Sequence, residues 1–219
     1  MTHMKQVLDI RSMFRRLLFD ERFVTDKTGV KTIDIPFAQF VADEPAIFGK
    51  PNIEWHEREL MWYRSMSLRV DDIPPPIPAI WKQVASQAGF INSNYGWCVW
   101  SGGNYRQYES VRDELKLNPE SRRAIMIYTR PTMHSEYKID GMSDFICTNT
   151  VQYLLRDDAL HAHVCMRSND AVFGYKGDRF FQSTVLDELC QDLDLPRGKI
   201  IWNCGSLHVY ERHFDLVRA

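Results

Sequence analysis

The feature that most constrains the fold is the concentration of strand-like segments in the second half of the chain. Residues 124–129, 144–155, 160–167 and 199–210 have the apolar or alternating composition of β-strands. A helical segment near residues 178–193 separates the last two. Strands and helices therefore mix without the regular βαβ rhythm of doubly wound proteins. This pattern predicts an α+β protein built around one large sheet.

The first half of the chain is predicted to be mainly helical. Apolar residues at helical spacing predict most of these helices, and a short apolar run after a turn at residues 26–29 predicts one strand. The predicted helices cover residues 5–22, 53–66, 80–88 and 105–115, and the strand covers residues 32–35. In the 219 residues we find no repeat or composition break that forces a boundary, so we expect a single domain.

Composition excludes several classes of function. The formal net charge of -2 argues against a protein that coats nucleic acid electrostatically, and we expect no direct nucleic-acid binding. The apolar runs are too short to span a bilayer and the N-terminus lacks a signal peptide, so we expect no membrane role and a cytoplasmic location. The five scattered cysteines predict reduced thiols. Neither a Walker loop nor GxGxxG is present.

One helix of the first half brings a carboxylate together with aromatic residues. Glu59 would share a helix face with Trp55, Trp62 and Tyr63. A carboxylate that aromatic rings shield from water has a raised pKa and can act as a general acid or base. The alternative is a surface glutamate paired with a neighbouring arginine.

The strand at residues 160–167 has one apolar and one polar face. His161, His163 and Cys165 share the polar face, which is a possible zinc site without an obvious fourth ligand. An ordinary polar strand face explains the same pattern. The residue types alone do not select Cys147 over Cys165 as a nucleophile.

Basic residues at several places suggest a phosphate site. Arg122 and Arg123 precede a predicted strand, and Arg167, Ser168 and Lys27 occur in other loops. Guanidinium groups match phosphate oxygens bidentately, although unrelated surface charges would produce the same pattern.

Blocks that are spread along the chain carry a family resemblance. They are DKTGVKTI (26–33), FVADEPAIFG (40–49), NSNYGW (92–97), SRRAIMIYTRP (121–131), GMSDFICTNTVQYLLRD (141–157), MRSNDAVFG (166–174) and IIWNCGSLHVYERHF (200–214). In this order they resemble the thymidylate synthase superfamily, and within it the deoxycytidylate hydroxymethylases of T-even bacteriophages. The resemblance implies a thymidylate-synthase-like α+β fold, with one large mixed sheet covered by helices and a sheet-to-sheet homodimer. It also implies a single domain over residues 1–219 that is shortened at its C-terminus, where relatives carry a segment that folds over folate.

The resemblance also implies roles for individual residues. The implied catalytic residues are the nucleophile Cys147, with Glu59, Asp178 and Tyr95. The implied substrate-binding residues are Lys27, Arg122, Arg123, Arg167, Ser168, Asp170, His208 and Tyr210, of which Arg122 and Arg123 reach the phosphate site of the partner subunit. The implied folate-binding residues are Trp81, Asp170 and Gly174. No metal is implied, and methylenetetrahydrofolate is the expected co-substrate.

Two departures from the thymidylate synthases bear on the reaction. Asp178 stands where those enzymes have an asparagine, and a carboxylate accepts from the cytosine amino group but cannot donate to uracil O4. Cys147 lies in Ile-Cys-Thr rather than Pro-Cys-His. The resemblance therefore implies 5-hydroxymethylation of deoxycytidine monophosphate (dCMP). Three alternatives stay open: a CMP hydroxymethylase of a nucleoside pathway, a thymidylate synthase, and a catalytically silent protein of this fold that binds nucleotide or RNA.

Overall fold

A computed structural model describes residues 4–219. Its α-helices are α1 (Val7–Phe19), α2 (Ile53–Ser65), α3 (Ala79–Val84), α4 (Tyr95–Trp100), α5 (Gln107–Leu117), α6 (Met133–Glu136), α7 (Gly174–Leu193) and α8 (Phe214–Arg218). Its strands are β1 (Phe23–Thr25), β2 (Lys31–Val41), β3 (Ile125–Ile127), β4 (Thr148–Arg156), β5 (Ala159–Met166), β6 (Asn169–Asp170) and β7 (Arg197–Tyr210). Short 3-10 segments lie at Val70–Asp72, Gly102–Asn104, Ile139–Gly141 and Glu211–His213.

The strands form one mixed sheet in the order β1-β2-β7-β5-β4-β3, and β6 lies beside β7. β2 and β7 are antiparallel, with Thr32 opposite Tyr210 at one end and Val41 opposite Ile201 at the other. β5 and β6 run parallel to β7. The prediction of an α+β protein with one large mixed sheet is therefore confirmed.

The chain divides into two compact units. The first unit contains residues 4–51 and 154–219, and the second unit contains Asn52–Tyr153. Strand β4 crosses the division, because its residues up to Tyr153 belong to the second unit and those from Leu154 to the first. A single domain over the whole chain stays a prediction.

In the first unit, the sheet is covered by helices with apolar faces. Leu160, Ala162, Val164 and Met166 of β5 are buried, and the intervening residues of that strand are half-buried, as the alternation predicts. Helix α7 contributes buried side chains to this core and begins at Gly174, one turn before the predicted start.

In the second unit, α2 and α4 pack with their backbones almost in contact. A Cβ atom added to Gly96 would lie 1.7 Å from the carbonyl oxygen of Tyr63, so only glycine fits at this crossing.

Helix α4 is not predicted from the sequence. The short helix predicted at residues 80–88 ends at Val84, because Ala85 is extended. The strand predicted from residue 144 begins at Thr148, since the residues before it form a loop.

Candidate functional site

In the second unit, the half-buried Cys147 lies just before β4, between two fully buried neighbours, Ile146 and Thr148. The Thr148 hydroxyl donates a hydrogen bond of 3.0 Å to the phenol oxygen of Tyr95. Two of the expected catalytic positions, Cys147 and Tyr95, are therefore linked through Thr148. The backbone around the Cys147 thiol is held from both sides.

The loop before Cys147 is anchored by the buried carboxylate of Asp144. This carboxylate accepts hydrogen bonds from the backbone N–H groups of Asn92 and Ser93, both at 2.7 Å, and from the Ser93 hydroxyl at 2.6 Å. The Asn92 side chain donates to the Asp144 carbonyl at 3.2 Å. Hydrogen bonds to a charged acceptor are the stronger kind, so Asp144 fixes the approach to Cys147 against the segment before α4.

Asn94 fixes the position of α4 and therefore of Tyr95. Its side-chain oxygen caps α4 by accepting from the N–H of Trp97 at 2.8 Å. Its amide nitrogen donates to the carbonyls of Trp62 and Ser67 at 3.0 and 2.9 Å. One fully buried side chain thus starts α4 and ties it to the C-terminal end of α2.

Glu59 lies on α2 among aromatic side chains, as predicted. It is 8% exposed, Trp62 and Tyr63 are buried, and Trp55 is half-buried. The Tyr63 ring stacks on Tyr95 with centroids 5.6 Å apart. The expected acid–base residue and the expected catalytic tyrosine therefore flank one aromatic cluster.

The environment of Cys98 makes it unsuitable as a nucleophile. Burial raises the pKa of its thiol to about 12, so the thiol stays protonated near neutral pH. Burial also raises the pKa of Cys190. All five cysteines are free thiols in this structure.

Three further expected site residues of the second unit lie on α3 and before β3. Trp81 is half-buried on α3, with its ring edge-to-face against Trp62 at 5.4 Å. Arg122 and Arg123 are exposed before β3, and Arg123 forms an ion pair of 3.3 Å with Glu114. The two arginines are thus presented to solvent.

In the first unit, Arg167 and Ser168 follow β5 on a segment that is tied to β7. The Arg167 side chain is exposed, and its carbonyl accepts a hydrogen bond of 3.2 Å from the N–H of Ser206. A Cβ atom at Gly205 would lie 2.8 Å from this carbonyl oxygen, so glycine permits the close approach. The backbone of Arg167 is therefore fixed while its guanidinium remains accessible.

Asp170, His208 and Tyr210 lie together at the end of this segment. Asp170 is paired with His208 in the β6–β7 ladder, and the rings of His208 and Tyr210 meet edge-to-face at 5.0 Å. The Asp170 carboxylate accepts from the N–H groups of Val172 and Phe173 at 2.7 and 3.3 Å through one oxygen, Oδ1.

Asp178 lies in the second turn of α7, and its Oδ2 accepts a hydrogen bond of 2.6 Å from the side-chain amide of Asn169. Gly174 lies beside this pair, since its added Cβ would be 3.1 Å from the Asn169 amide nitrogen. The expected base-recognition and folate-binding positions therefore adjoin each other on α7.

Lys27 is exposed in the turn that precedes β2. The neighbouring Asp26 carboxylate accepts hydrogen bonds from the Thr28 hydroxyl and from the N–H groups of Thr28 and Val30. The Thr28 hydroxyl is the main reason that the pKa of Asp26 is below its usual value. The turn thus presents the ammonium group of Lys27 on an ordered loop.

Neither a metal centre nor a membrane span is found in the described residues. Over residues 4–219, no group of three or more His, Cys, Asp or Glu side chains is arranged to hold a metal ion. The Cys165 sulfur lies 3.6 Å from Nε2 of His163, which is a contact within the polar face of β5. Within the same range, no helix is both long and apolar enough to cross a bilayer.

Comparison with known proteins identifies the family. A sequence model of the thymidylate synthase family matches residues 11–219. This chain belongs to the thymidylate synthase family. Within this family, it is 58% identical over 218 residues to the deoxycytidylate 5-hydroxymethyltransferase of Enterobacteria phage T4, covering 96% of this chain and 89% of the relative. It is 28% identical over 202 residues to a thymidylate synthase of Bacillus subtilis subsp. natto, covering 87% of this chain and 71% of that one.

A solved structure supports the thymidylate synthase fold. Thermostable thymidylate synthase A from Bacillus subtilis superposes with a TM-score of 0.71 at 24% identity, covering 95% of this chain and 82% of that one. The expected family and fold are thereby confirmed, and the roles of individual residues stay predictions.

The structure adds positioning residues that the sequence analysis did not identify. Asp144, Asn94 and Thr148 hold the expected catalytic positions of the second unit, and Asn169 contacts Asp178 in the first. Only Asn94 carried a local signal, because an asparagine three residues before Trp97 is a typical helix cap.

Proposed function

We propose that this thymidylate synthase family member is a deoxycytidylate 5-hydroxymethyltransferase. It converts dCMP, methylenetetrahydrofolate and water to 5-hydroxymethyl-dCMP and tetrahydrofolate. The observation that carries this conclusion is the 58% identity to the phage T4 enzyme of that name over 96% of the chain. Its relatives at 28% identity are thymidylate synthases, so the chain is a folate-dependent one-carbon transferase acting on a pyrimidine nucleotide.

Cys147 is the proposed nucleophile. Its sulfur bonds to C6 of the cytosine ring, and the displaced π electrons make C5 nucleophilic. C5 attacks the methylene carbon of methylenetetrahydrofolate as the first of its two C–N bonds breaks. Loss of the C5 proton then breaks the second C–N bond and releases tetrahydrofolate, and water adds to the exocyclic methylene carbon that remains on C5. The C6–S bond then breaks and returns the thiolate. The fixed backbone on both sides of Cys147 supports this role, because a nucleophile must be held in attack geometry.

Glu59 and Tyr95 are the proposed proton-handling groups. A carboxylate that is only 8% exposed among aromatic rings is shielded from bulk water, which suits a group that orders water and transfers protons. The phenol of Tyr95 accepts from Thr148, and a phenol is a group that can donate a proton as well as accept a hydrogen bond.

Asp178 is the proposed selector of the base. Its Oδ2 accepts from Asn169, and a carboxylate has further lone pairs that accept from the cytosine amino group. The same carboxylate repels the acceptor O4 of uracil, and it stabilises a proton on N3 of the covalently attached ring. This chemistry favours cytosine over uracil.

The phosphate and sugar have separate proposed partners. Arg167, Ser168 and Lys27 bind the phosphate, which suits two exposed cations and a half-buried hydroxyl. His208 and Tyr210, together with the neighbouring Asp170, hold the sugar and the adjoining part of the nucleotide.

The residues expected to hold folate fit a flat, hydrogen-bonding ligand. Trp81 is half-buried and offers part of an indole surface, while Asp170 uses Oδ1 for the backbone and retains Oδ2 for a pterin N–H. Gly174, which is half-buried at the start of α7, lies beside Asp170, because a Cβ added there would be 3.5 Å from the Cβ of Asp170. Bound methylenetetrahydrofolate supplies a carbon at the oxidation level of formaldehyde.

We also propose that the enzyme is a sheet-to-sheet homodimer that works in the cytoplasm, which is the host cytoplasm if the gene is carried by a phage. Arg122 and Arg123 then bind the phosphate in the partner subunit. Their exposure supports this role, since an arginine that reaches another chain must project from its own.

A product assay tests the proposed function directly. The enzyme is given dCMP, CMP and deoxyuridine monophosphate (dUMP) in equal amounts with methylenetetrahydrofolate, and the products are separated by mass. We expect 5-hydroxymethyl-dCMP as the main product. Hydroxymethylated CMP, or a methylated product of dUMP, would each assign a different reaction, and absence of all products would indicate a silent nucleotide-binding protein.

A further inference from the structure

Asn169 is buried beside the proposed base selector, and the mechanism above gives it no role. It is 3% exposed, and its side-chain nitrogen donates to Oδ2 of Asp178 at 2.6 Å. A short hydrogen bond from an amide to a carboxylate is charge-assisted and is stronger than a neutral one. Asn169 therefore restrains Oδ2 of Asp178. Because the carboxylate is rigid, this contact also fixes the position of the other oxygen, Oδ1.

The backbone that carries Asn169 is itself held firmly. Asn169 is paired with Leu207 in the β6–β7 ladder, and the N–H of Ala171 donates to the carbonyl of His208 at 2.8 Å. On the other side, Gly174 leaves room for the amide, because a Cβ there would lie 3.1 Å from the amide nitrogen. Asn169 thus connects a fixed strand to the second turn of α7.

The orientation of the Asn169 amide is determined by its partner. With the amide reversed, its oxygen would face the carboxylate oxygen, and two acceptors would repel each other. In the observed orientation, the buried Oδ1 of Asn169 has no hydrogen-bond partner among residues 4–219. A buried polar atom without a protein partner is rare in native proteins and calls for an explanation, such as an ordered water or a functional role.

We propose that Asn169 is a positioning residue for base recognition, because its buried amide holds Oδ2 of Asp178 and thereby directs Oδ1 toward the nucleotide base. This inference rests on the proposed role of Asp178. In this arrangement, residue 169 determines which atom of residue 178 faces the base. The side chain at position 178 determines whether that atom donates or accepts a hydrogen bond.

This arrangement predicts opposite outcomes for two variants that share the same residue at position 178. In Asp178→Asn, the Asn169 amide donates to the new carbonyl, so the new NH₂ group faces the base and favours uracil O4. In the double variant Asn169→Asp/Asp178→Asn, the new carboxylate at 169 accepts from that NH₂ group. The carbonyl of residue 178 then faces the base and accepts from the cytosine amino group again.

Calorimetric titration with dCMP and with dUMP reads out these outcomes without requiring turnover. We expect Asp178→Asn to favour dUMP, and the double variant to return at least tenfold toward dCMP. We expect Asn169→Leu, which keeps the branched shape of the side chain but removes its polar atoms, to weaken dCMP binding about tenfold to a hundredfold, because it removes a hydrogen bond to a charged group. In turnover, its KM for dCMP should rise more than its kcat falls.

Asn104→Leu is the matched control. It removes another amide, which donates to the Cys98 carbonyl at 2.8 Å in the second unit, and should leave the preference between bases unchanged. The proposal is overturned if the double variant binds the two nucleotides in the same ratio as Asp178→Asn, or if a folded Asn169→Leu keeps the wild-type ratio. Failure of the wild-type enzyme to turn over dCMP would refute the proposed reaction, whereas the binding ratios would still test Asn169.

Discussion

The hydroxyl of Thr148 donates to the phenol oxygen of Tyr95 across 3.0 Å, and both side chains are buried. This bond links the residue that follows Cys147 to the first residue of α4. The proposed nucleophile and an expected catalytic tyrosine are therefore positioned by the same contact.

Paired variants separate the positioning role of this bond from a direct role of the phenol. Thr148→Val removes the donor and leaves the Tyr95 hydroxyl, whereas Tyr95→Phe removes both the bond and the hydroxyl. We expect each to lower stability by about 0.5–1.5 kcal/mol, the usual net contribution of a hydrogen bond. If the phenol also handles protons, kcat should fall further in Tyr95→Phe. Equal kcat values in the two variants would restrict Tyr95 to positioning.

Cys147→Ala is expected to abolish turnover and to leave dCMP binding within about tenfold, because the phosphate-binding residues remain. Release of tritium from dCMP labelled at C5 measures the chemistry, and calorimetry measures binding. Cys165→Ala is the matched control, since Cys165 is also half-buried and lies on β5, and its turnover should match the wild type. Normal tritium release by Cys147→Ala would exclude Cys147 as the nucleophile.

Asp178→Asn is expected to lose dCMP turnover and to gain activity on dUMP. The amide NH₂ group that then faces the base can donate to O4 of uracil but cannot accept from the amino group of cytosine, and an unpaired buried polar group costs roughly 1–3 kcal/mol, or about one to two decades in preference. The ratio of kcat/KM values for the two nucleotides measures this change. A variant that retains the wild-type ratio would place base selection at another residue.

Subunit mixing tests the proposed dimer. Arg123→Ala and Cys147→Ala are each expected to be inactive, and a mixed dimer should regain one working site, because one subunit supplies the thiol and the other supplies the arginine. Activity is measured before and after the subunits have exchanged. Glu114→Ala, which removes the partner of Arg123 within its own chain, should remain active. No recovery after confirmed exchange would contradict the shared site.

Asp144→Asn should destabilise the second unit by about 1–3 kcal/mol, because the amide nitrogen cannot accept the hydrogen bonds that the carboxylate oxygens accept. Urea unfolding measures the loss. Ser93→Ala removes one of these bonds and should cost less than Asp144→Asn. A similar free energy of unfolding for Asp144→Asn and the wild type would show that Asp144 does not anchor this loop.

Secondary structure was predictable where one face of an element meets the core. The alternation in β5 and the apolar spacing in α1 and α2 both come from burial on one side, and all three elements are present. Helix α4 was missed because its sequence, YGWCVW, has poor helix formers and no helical period. Its stability comes from the Asn94 cap and from the close approach at Gly96, which are visible only in three dimensions.

The candidate site was predictable from the family resemblance more than from the residue types. Family resemblance selected Cys147, while the residue types alone did not distinguish it from Cys165. The structure supplies a physical reason to exclude Cys98, because burial depends on the tertiary fold and raises the pKa of that thiol to about 12. The contact between Asn169 and Asp178 depends on how β6 leads into α7, and no local pattern indicates it.

The long antiparallel pair of β2 and β7 has a consequence for how the protein folds during its synthesis. Thr32 pairs with Tyr210, so the two strands are translated at widely separated times, with the whole second unit between them. On the ribosome, the edge of β2 that pairs with β7 therefore stays unpaired until β7 has been synthesised. The second unit, Asn52–Tyr153, is instead synthesised as one uninterrupted stretch. Because such distant contacts slow folding, the second unit is expected to become protease-resistant on the nascent chain before the first.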